Sequence, residues 1–135
     1  MIARRWIRGI VAVSGIAFVP LLAGAELLHL KLSRSEPTAN ARLASSPTQV
    51  KLWFTQRPEL TVTSVKLVSG GGATALERAL APLTRAAASG SPIVAPVGAA
   101  LSAGHYEVRW RTMARDGHVL SGVIPFDVGS APTPR

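Results

Sequence analysis

From residue 29 onward, apolar and polar residues alternate along most of the chain, the signature of half-buried strands. Over 49–55, Val50, Leu52 and Phe54 face one way while Lys51, Trp53 and Thr55 face the other. Tyr106, Val108 and Trp110 share a face opposite Glu107, Arg109 and Arg111, and a final alternating run covers 119–128. These last two runs meet at Asp116, Gly117 and His118. Shorter runs predict a strand beginning over 29–33, one over 60–69 and one over 93–97. In 60–69, Val62 lies on the face opposite Val65 and Leu67, with a bulge or twist expected at Thr63 and Ser64.

Turn residues separate these runs. Residues 36–41 read as a turn-rich connection, and Arg57, Pro58 and Glu59 end a strand because proline cannot donate to a ladder. Gly70, Gly71 and Gly72 end another. Residues 73–90 are rich in alanine and leucine, but Pro82 interrupts any long helix. One short helical turn or an irregular strand fits there, followed by a loop at 89–92. Six to seven short strands with frequent turns predict an all-β fold, an antiparallel β-sandwich of immunoglobulin-like size. No internal repeat is present, and the pattern alone does not fix the strand order.

The first 25 residues read differently. Arg4, Arg5 and Arg8 precede an apolar stretch over 9–22, and Ala23, Gly24 and Ala25 supply a small-residue cleavage pattern. The stretch falls short of the ~20 residues of a membrane-spanning helix. An export signal peptide over 1–25 is therefore expected, with an uncleaved anchor as the alternative. The twin arginine also allows twin-arginine export without deciding it. Residues 26–129 then form one domain and 130–135 a short tail.

Composition narrows the chemistry. The chain carries 15 lysines and arginines against 7 acidic residues, a net charge of +8. Losing Arg4, Arg5 and Arg8 leaves 12 against 7, or +5, scattered without a basic run or interleaved aromatics. Solvated strand faces account for these charges, and no nucleic-acid partner is expected. There is no cysteine, so thiolate metal sites and disulfides are excluded.

Three histidines lie beyond the signal. Asp116 and His118, at i and i+2, can share one face of an extended segment, and imidazole with carboxylate suits Cu(II). The alternative reading of Asp-Gly is an ordinary hairpin turn. His29 stands three residues after Glu26, and either Glu26 or a free α-amine could add a ligand. The alternative for His29 is a half-exposed edge-strand residue. His105 follows Gly104 in a turn and is expected to be exposed rather than a ligand. Met113 cannot build a sulfur-rich site alone and reads as a packing residue, while Trp53, Phe54, Trp110 and Phe126 read as core or sheet-face residues. No nucleophile–base arrangement and no phosphate-cradling loop is recognisable, so the chain is read as not an enzyme.

The signal, HLKLSRSEP at 29–37, VKLWFTQRPEL at 50–60 and LSAGHYEVRWRTMARDGHVLSGVIPFDV at 101–128 together resemble the CopC domain of periplasmic copper-resistance proteins, also called CopC/YobA-like. The third segment is the most specific, with W-R, D-G-H, S-G and F-x-V in order. Residues 70–96 add little. The resemblance implies a Greek-key β-sandwich in the periplasm that binds copper, with an inner-membrane copper-transport partner of the CopD type. Members of the family hold Cu(II) with an N-terminal histidine and with the aspartate and histidine of D-G-H. These last two carry over to Asp116 and His118, and His29 joins them as the remaining candidate ligand.

The chain departs from the pattern at its start. Where members read His-Ala-His-Leu, it has Leu27, Leu28, His29 and Leu30, so the first histidine position holds Leu27. Cleavage after Ala25 would leave Glu26 first, without the terminal-histidine chelate. Two readings follow: a copper-homeostasis protein using His29, Asp116 and His118, or an accessory module that has lost strong copper binding. A copper-monooxygenase enzyme is a third, although that chemistry also relies on an N-terminal histidine.

Overall fold

The computed structural model describes residues 29–70 and 74–129. The expected signal peptide, Glu26 and the tail at 130–135 lie outside the described residues. Among the described residues, eight strands form two sheets: β1 Leu32–Glu36, β2 Ala41–Leu43, β3 Gln49–Phe54, β4 Ser64–Ser69, β5 Leu76–Ala79, β6 Ile93–Pro96, β7 Gly104–Met113 and β8 Val119–Val128. One sheet runs β1-β3-β6 and the other β2-β8-β7-β4-β5. This is the β-sandwich that the alternation predicted.

The core lies between the inner faces. Val50 and Leu52 of β3 and Ile93 and Ala95 of β6 meet Val65, Leu67, Tyr106, Val108, Trp110, Ile124 and Phe126 of the larger sheet. Burying such side chains contributes about 1.5–3 kcal/mol each, the driving force that fixes which face turns inward. Two aromatic contacts organise it. Phe54 meets Trp110 edge-on at 5.3 Å, joining the sheets, and Tyr106 stacks on Phe126 at 5.7 Å within the β7–β8 ladder. Thr112 is fully buried and its hydroxyl bonds that of Thr63 at 2.7 Å. Trp53 turns away from the core with the Arg34 guanidinium over its ring.

Three elements differ from expectation. The predicted strand over 60–69 splits into a 3-10 turn, Leu60–Val62, followed by β4, because Thr63 Oγ1 and the Glu59 carbonyl close the bend at 2.6 Å. For residues 73–90 the strand alternative holds over Leu76–Ala79 as β5, and Thr84 bridges Val94 of β6. Within the expected turn over 36–41 and just after it, β2 begins and pairs parallel with β8, an exception to the antiparallel rule of the other pairs. The first strand begins at Leu32 and extends to Glu36, later than the run over 29–33 suggests.

Candidate metal centre

The β7–β8 ladder is unbroken from Gly104↔Val128 to Met113↔Val119, and its closing turn carries the D-G-H residues. The Ala114 amide donates to the His118 carbonyl (2.9 Å) and the Gly117 amide to the Ala114 carbonyl (3.0 Å). Gly117 has φ +88°, the left-handed position of a three-residue hairpin loop. Asp116 and His118 therefore sit on a turn rather than on an extended segment.

The turn brings the two side chains together. The His118 backbone amide donates to Asp116 Oδ1 at 3.1 Å, and His118 Nδ1 lies 2.9 Å from Oδ2. The bond from the His118 ring, then that from its backbone amide, hold the Asp116 carboxyl below its ordinary range, with burial opposing weakly. An ionised carboxylate only accepts, so Nδ1 is the donor, and in the neutral form of the ring the Nε2 lone pair is left for an incoming ion. A carboxylate bonded to the far nitrogen of a metal-binding histidine fixes its tautomer and raises its basicity. The pair is exposed, with side-chain accessibilities of 83% for His118 and 64% for Asp116.

His29 reaches the same region from the other sheet. Thr55, just beyond β3, accepts the Lys31 amide at its hydroxyl (2.9 Å) and donates that hydroxyl to the His29 carbonyl (2.6 Å). Its own amide bonds the Lys31 carbonyl at 2.9 Å. With Leu30 buried, this clamp holds His29 beside one open groove that His29, Gln56, Arg115, Asp116 and His118 all line. The structure thus places all three predicted ligands on one groove and joins Asp116 to His118. Among the described residues, no three His, Cys, Asp or Glu side chains converge closely enough to hold one ion.

The remaining histidine is exposed, as expected, but not in a turn: His105 is the second residue of β7. Its Nδ1 lies 2.8 Å from Asp127 Oδ1 across the ladder, at the end opposite the D-G-H turn. Met113 closes β7, half-buried. Thr55 was not singled out by sequence, since only the folded register of β1 on β3 shows what it holds.

These features define the class: a two-sheet β-sandwich domain carrying a histidine–carboxylate pair on the turn of its longest hairpin. The model of the CopC domain matches residues 32–129, and the chain belongs to that family. It is similar to the copper transport protein CutJ of Bacillus subtilis (strain 168), 27% identical over 117 residues. That match covers 86% of this chain but 21% of the relative, so the chain spans about a fifth of its length. Copper resistance protein C of Xanthomonas campestris pv. juglandis is 28% identical over 110 residues, covering 80% of this chain and 86% of that protein. Among solved structures, CopC from Methylosinus trichosporium OB3b shares the fold with a TM-score of 0.66 at 24% identity, over 79% of this chain and 100% of that one. PcoC, a methionine-rich copper resistance protein from Escherichia coli, gives 0.60 at 28% identity, over 74% and 98%.

Proposed function

We propose that this chain is a periplasmic copper-binding protein of copper resistance or homeostasis, exported by a signal peptide at 1–25, that carries Cu(II) on the groove at its D-G-H turn. The single observation that carries this reading is the His118–Asp116 contact at 2.9 Å, in a chain that belongs to the CopC domain family. His118 Nε2 would be the principal donor, with Asp116 orienting its ring or lending an oxygen, and His29, on the same groove, would have to move toward the ion to join them. Nitrogen and oxygen donors without thiolate or clustered thioether suit Cu(II) rather than Cu(I). An inner-membrane copper transporter of the CopD type is the partner to which such a carrier would pass its ion.

A second reading is favoured by one specific observation, the lack of a converging three-ligand cluster among the described residues. A sandwich with only two ligands in contact would serve as an accessory module with weak copper affinity. Copper titration of the exported protein, after its intact mass has fixed the first residue, separates the two. Tight one-to-one Cu(II) binding that His118→Ala abolishes without unfolding the domain is the expected result. Asp116→Asn should weaken it about 10–100-fold, the usual effect of losing an outer partner of a metal-bound histidine. Binding unaltered in His118→Ala would remove the site from this turn, and weak binding by the parent would leave the accessory role.

A further inference from the structure

A second pocket adjoins the groove, with Gln56 lining both, and is built around two arginines. Arg57 follows β3, and Arg85 lies in the irregular segment before β6. Both line a cavity of about 150 Å³ together with Thr55 and the Ser89, Gly90 and Ser91 turn, and none of its lining residues is acidic. Each guanidinium is partly engaged by the backbone. Arg85 Nη1 donates to the Pro58 carbonyl at 2.7 Å, and Arg57 Nη1 donates to the Ala87 carbonyl at 3.1 Å and more loosely to those of Ala86 and Ala88 at 3.5 Å.

These bonds leave an imbalance. Arg85 Nε is buried without a hydrogen-bond partner among the described residues, and an orphaned buried donor carries a desolvation cost. Burial first, then the neighbouring Arg57 charge, push the Arg85 guanidinium below its ordinary range, and Glu59 opposes this only partly. Glu59 itself accepts a bond from the Thr61 hydroxyl at 3.1 Å. Two cations that line one cavity and repel each other lack an anion. With Arg85 Nε enclosed, an oxyanion in the cavity would meet the outer Nη hydrogens of the two guanidinium forks, which suit carboxylate or phosphate oxygens.

We propose that Arg57 and Arg85 form an oxyanion site that takes a single carboxylate or phosphate group, with the hydroxyls of Ser89 and Ser91 beside it. The cavity is smaller than the ~300–1,000 Å³ of sites for larger organic ligands, so the group bound is a small ion or one acidic terminus of a larger molecule. The site stands independently of copper, and its test uses the metal-free mature protein.

Inorganic phosphate and acetate are titrated separately at constant ionic strength while the arginine Nε–H and backbone amide resonances are followed by NMR. The expected result is a saturable shift of the Arg85 Nε–H and of the Ser89 to Ser91 amides with at least one ion, and the stronger of the two names the ligand chemistry. Arg57→Gln and Arg85→Gln, each checked for an intact fold by its amide spectrum, should weaken that binding about tenfold or more, the loss of a charge-assisted hydrogen bond. The parent protein alone can overturn the proposal: shifts that stay linear with both ions, or an Arg85 Nε–H that does not move, would show that the two arginines only clip the 84–91 segment to Pro58 and its neighbours. Saturation of equal strength in both variants would place the ion elsewhere and equally refute it.

Discussion

A methyl group at Gly122 would stand 2.7 Å from Cζ2 of Trp110 and 2.8 Å from its Cε2 and Nε1. Trp110 and Gly122 are direct partners across the β7–β8 ladder, so the indole lies over the one residue that leaves it room. This gives the S-G of the family motif a physical reason: the glycine seats the W-R tryptophan. Gly122→Ala should therefore destabilise the domain by about 1–3 kcal/mol through overpacking against a buried ring, read as a lower midpoint in urea unfolding. An unchanged midpoint would mean that the indole does not occupy that place. Gly117 differs, since nothing lies within 4 Å of its would-be methyl and only its φ of +88° resists substitution. At this scale the sequence made Asp116 and His118 legible, because they are two residues apart. It allowed both an extended segment and a hairpin turn there, and the fold takes the turn. The His105–Asp127 and Arg57–Arg85 pairings were not legible, because residues 22 and 28 positions apart meet only through strand register and loop path.

Strand β5 shows why elements can hide from periodicity. All four of its residues, Leu76 to Ala79, are exposed, so no buried face imprints an alternation, and Leu-Glu-Arg-Ala reads equally well as helix. What holds it is the edge of β4, with Lys66 and Ala79, and Val68 and Glu77, as direct partners. Lys66 Nζ donates to Glu77 Oε1 at 2.6 Å. That bond is the main cause that lowers the Glu77 carboxyl from its ordinary value of 4.5; burial opposes it, while the Lys66 and Arg109 charges add to it. A carboxyl depressed on folding adds stability that is fully present above its unfolded value and is lost as pH falls through the folded value. The gain from Glu77 should thus be complete above about pH 4.5 and fade below it. Thermal unfolding of the parent and of Glu77→Gln should differ slightly at pH 6 and converge toward pH 3. A gap of the same size at both pH values would show that the ion pair is not what ties β5 to the sheet. The effect is small, as expected of a surface pair. Long alternating strands such as β3, β7 and β8 were legible for the converse reason: one face of each is buried and the other wet.

Across the whole molecule, the stacked aromatic pair and the proposed copper site occupy different ends of one hairpin. Phe126 is 1% exposed and stacks on Tyr106 near the open end of the β7–β8 ladder, whereas His118 is almost fully exposed on the closing turn. The sandwich class was legible because it follows from the count of alternating runs, while the sheet order β2-β8-β7-β4-β5 was not, since parallel pairing of Ala41–Leu43 with β8 joins segments far apart in the chain. The separation of core and site can be tested by exchanging the two perturbations. Phe126→Leu keeps an apolar side chain but loosens the Tyr106 contact, at a cost of about 1 kcal/mol, which lowers the melting temperature of a domain of this size by about 4–8 °C. Alanine there would cost about 3–5 kcal/mol, a large share of the ~5–15 kcal/mol that holds a small domain together, so leucine is the cleaner probe. Cu(II) affinity of Phe126→Leu, measured well below its melting temperature, should equal that of the parent. His118→Ala should do the reverse, losing copper with little change in melting temperature, because a side chain in water gives up almost no packing when truncated. If Phe126→Leu lowered copper affinity about tenfold while still folded, the core would be transmitting strain along all ten rungs of the hairpin, and the turn could no longer be treated as a site that the rest of the fold merely presents.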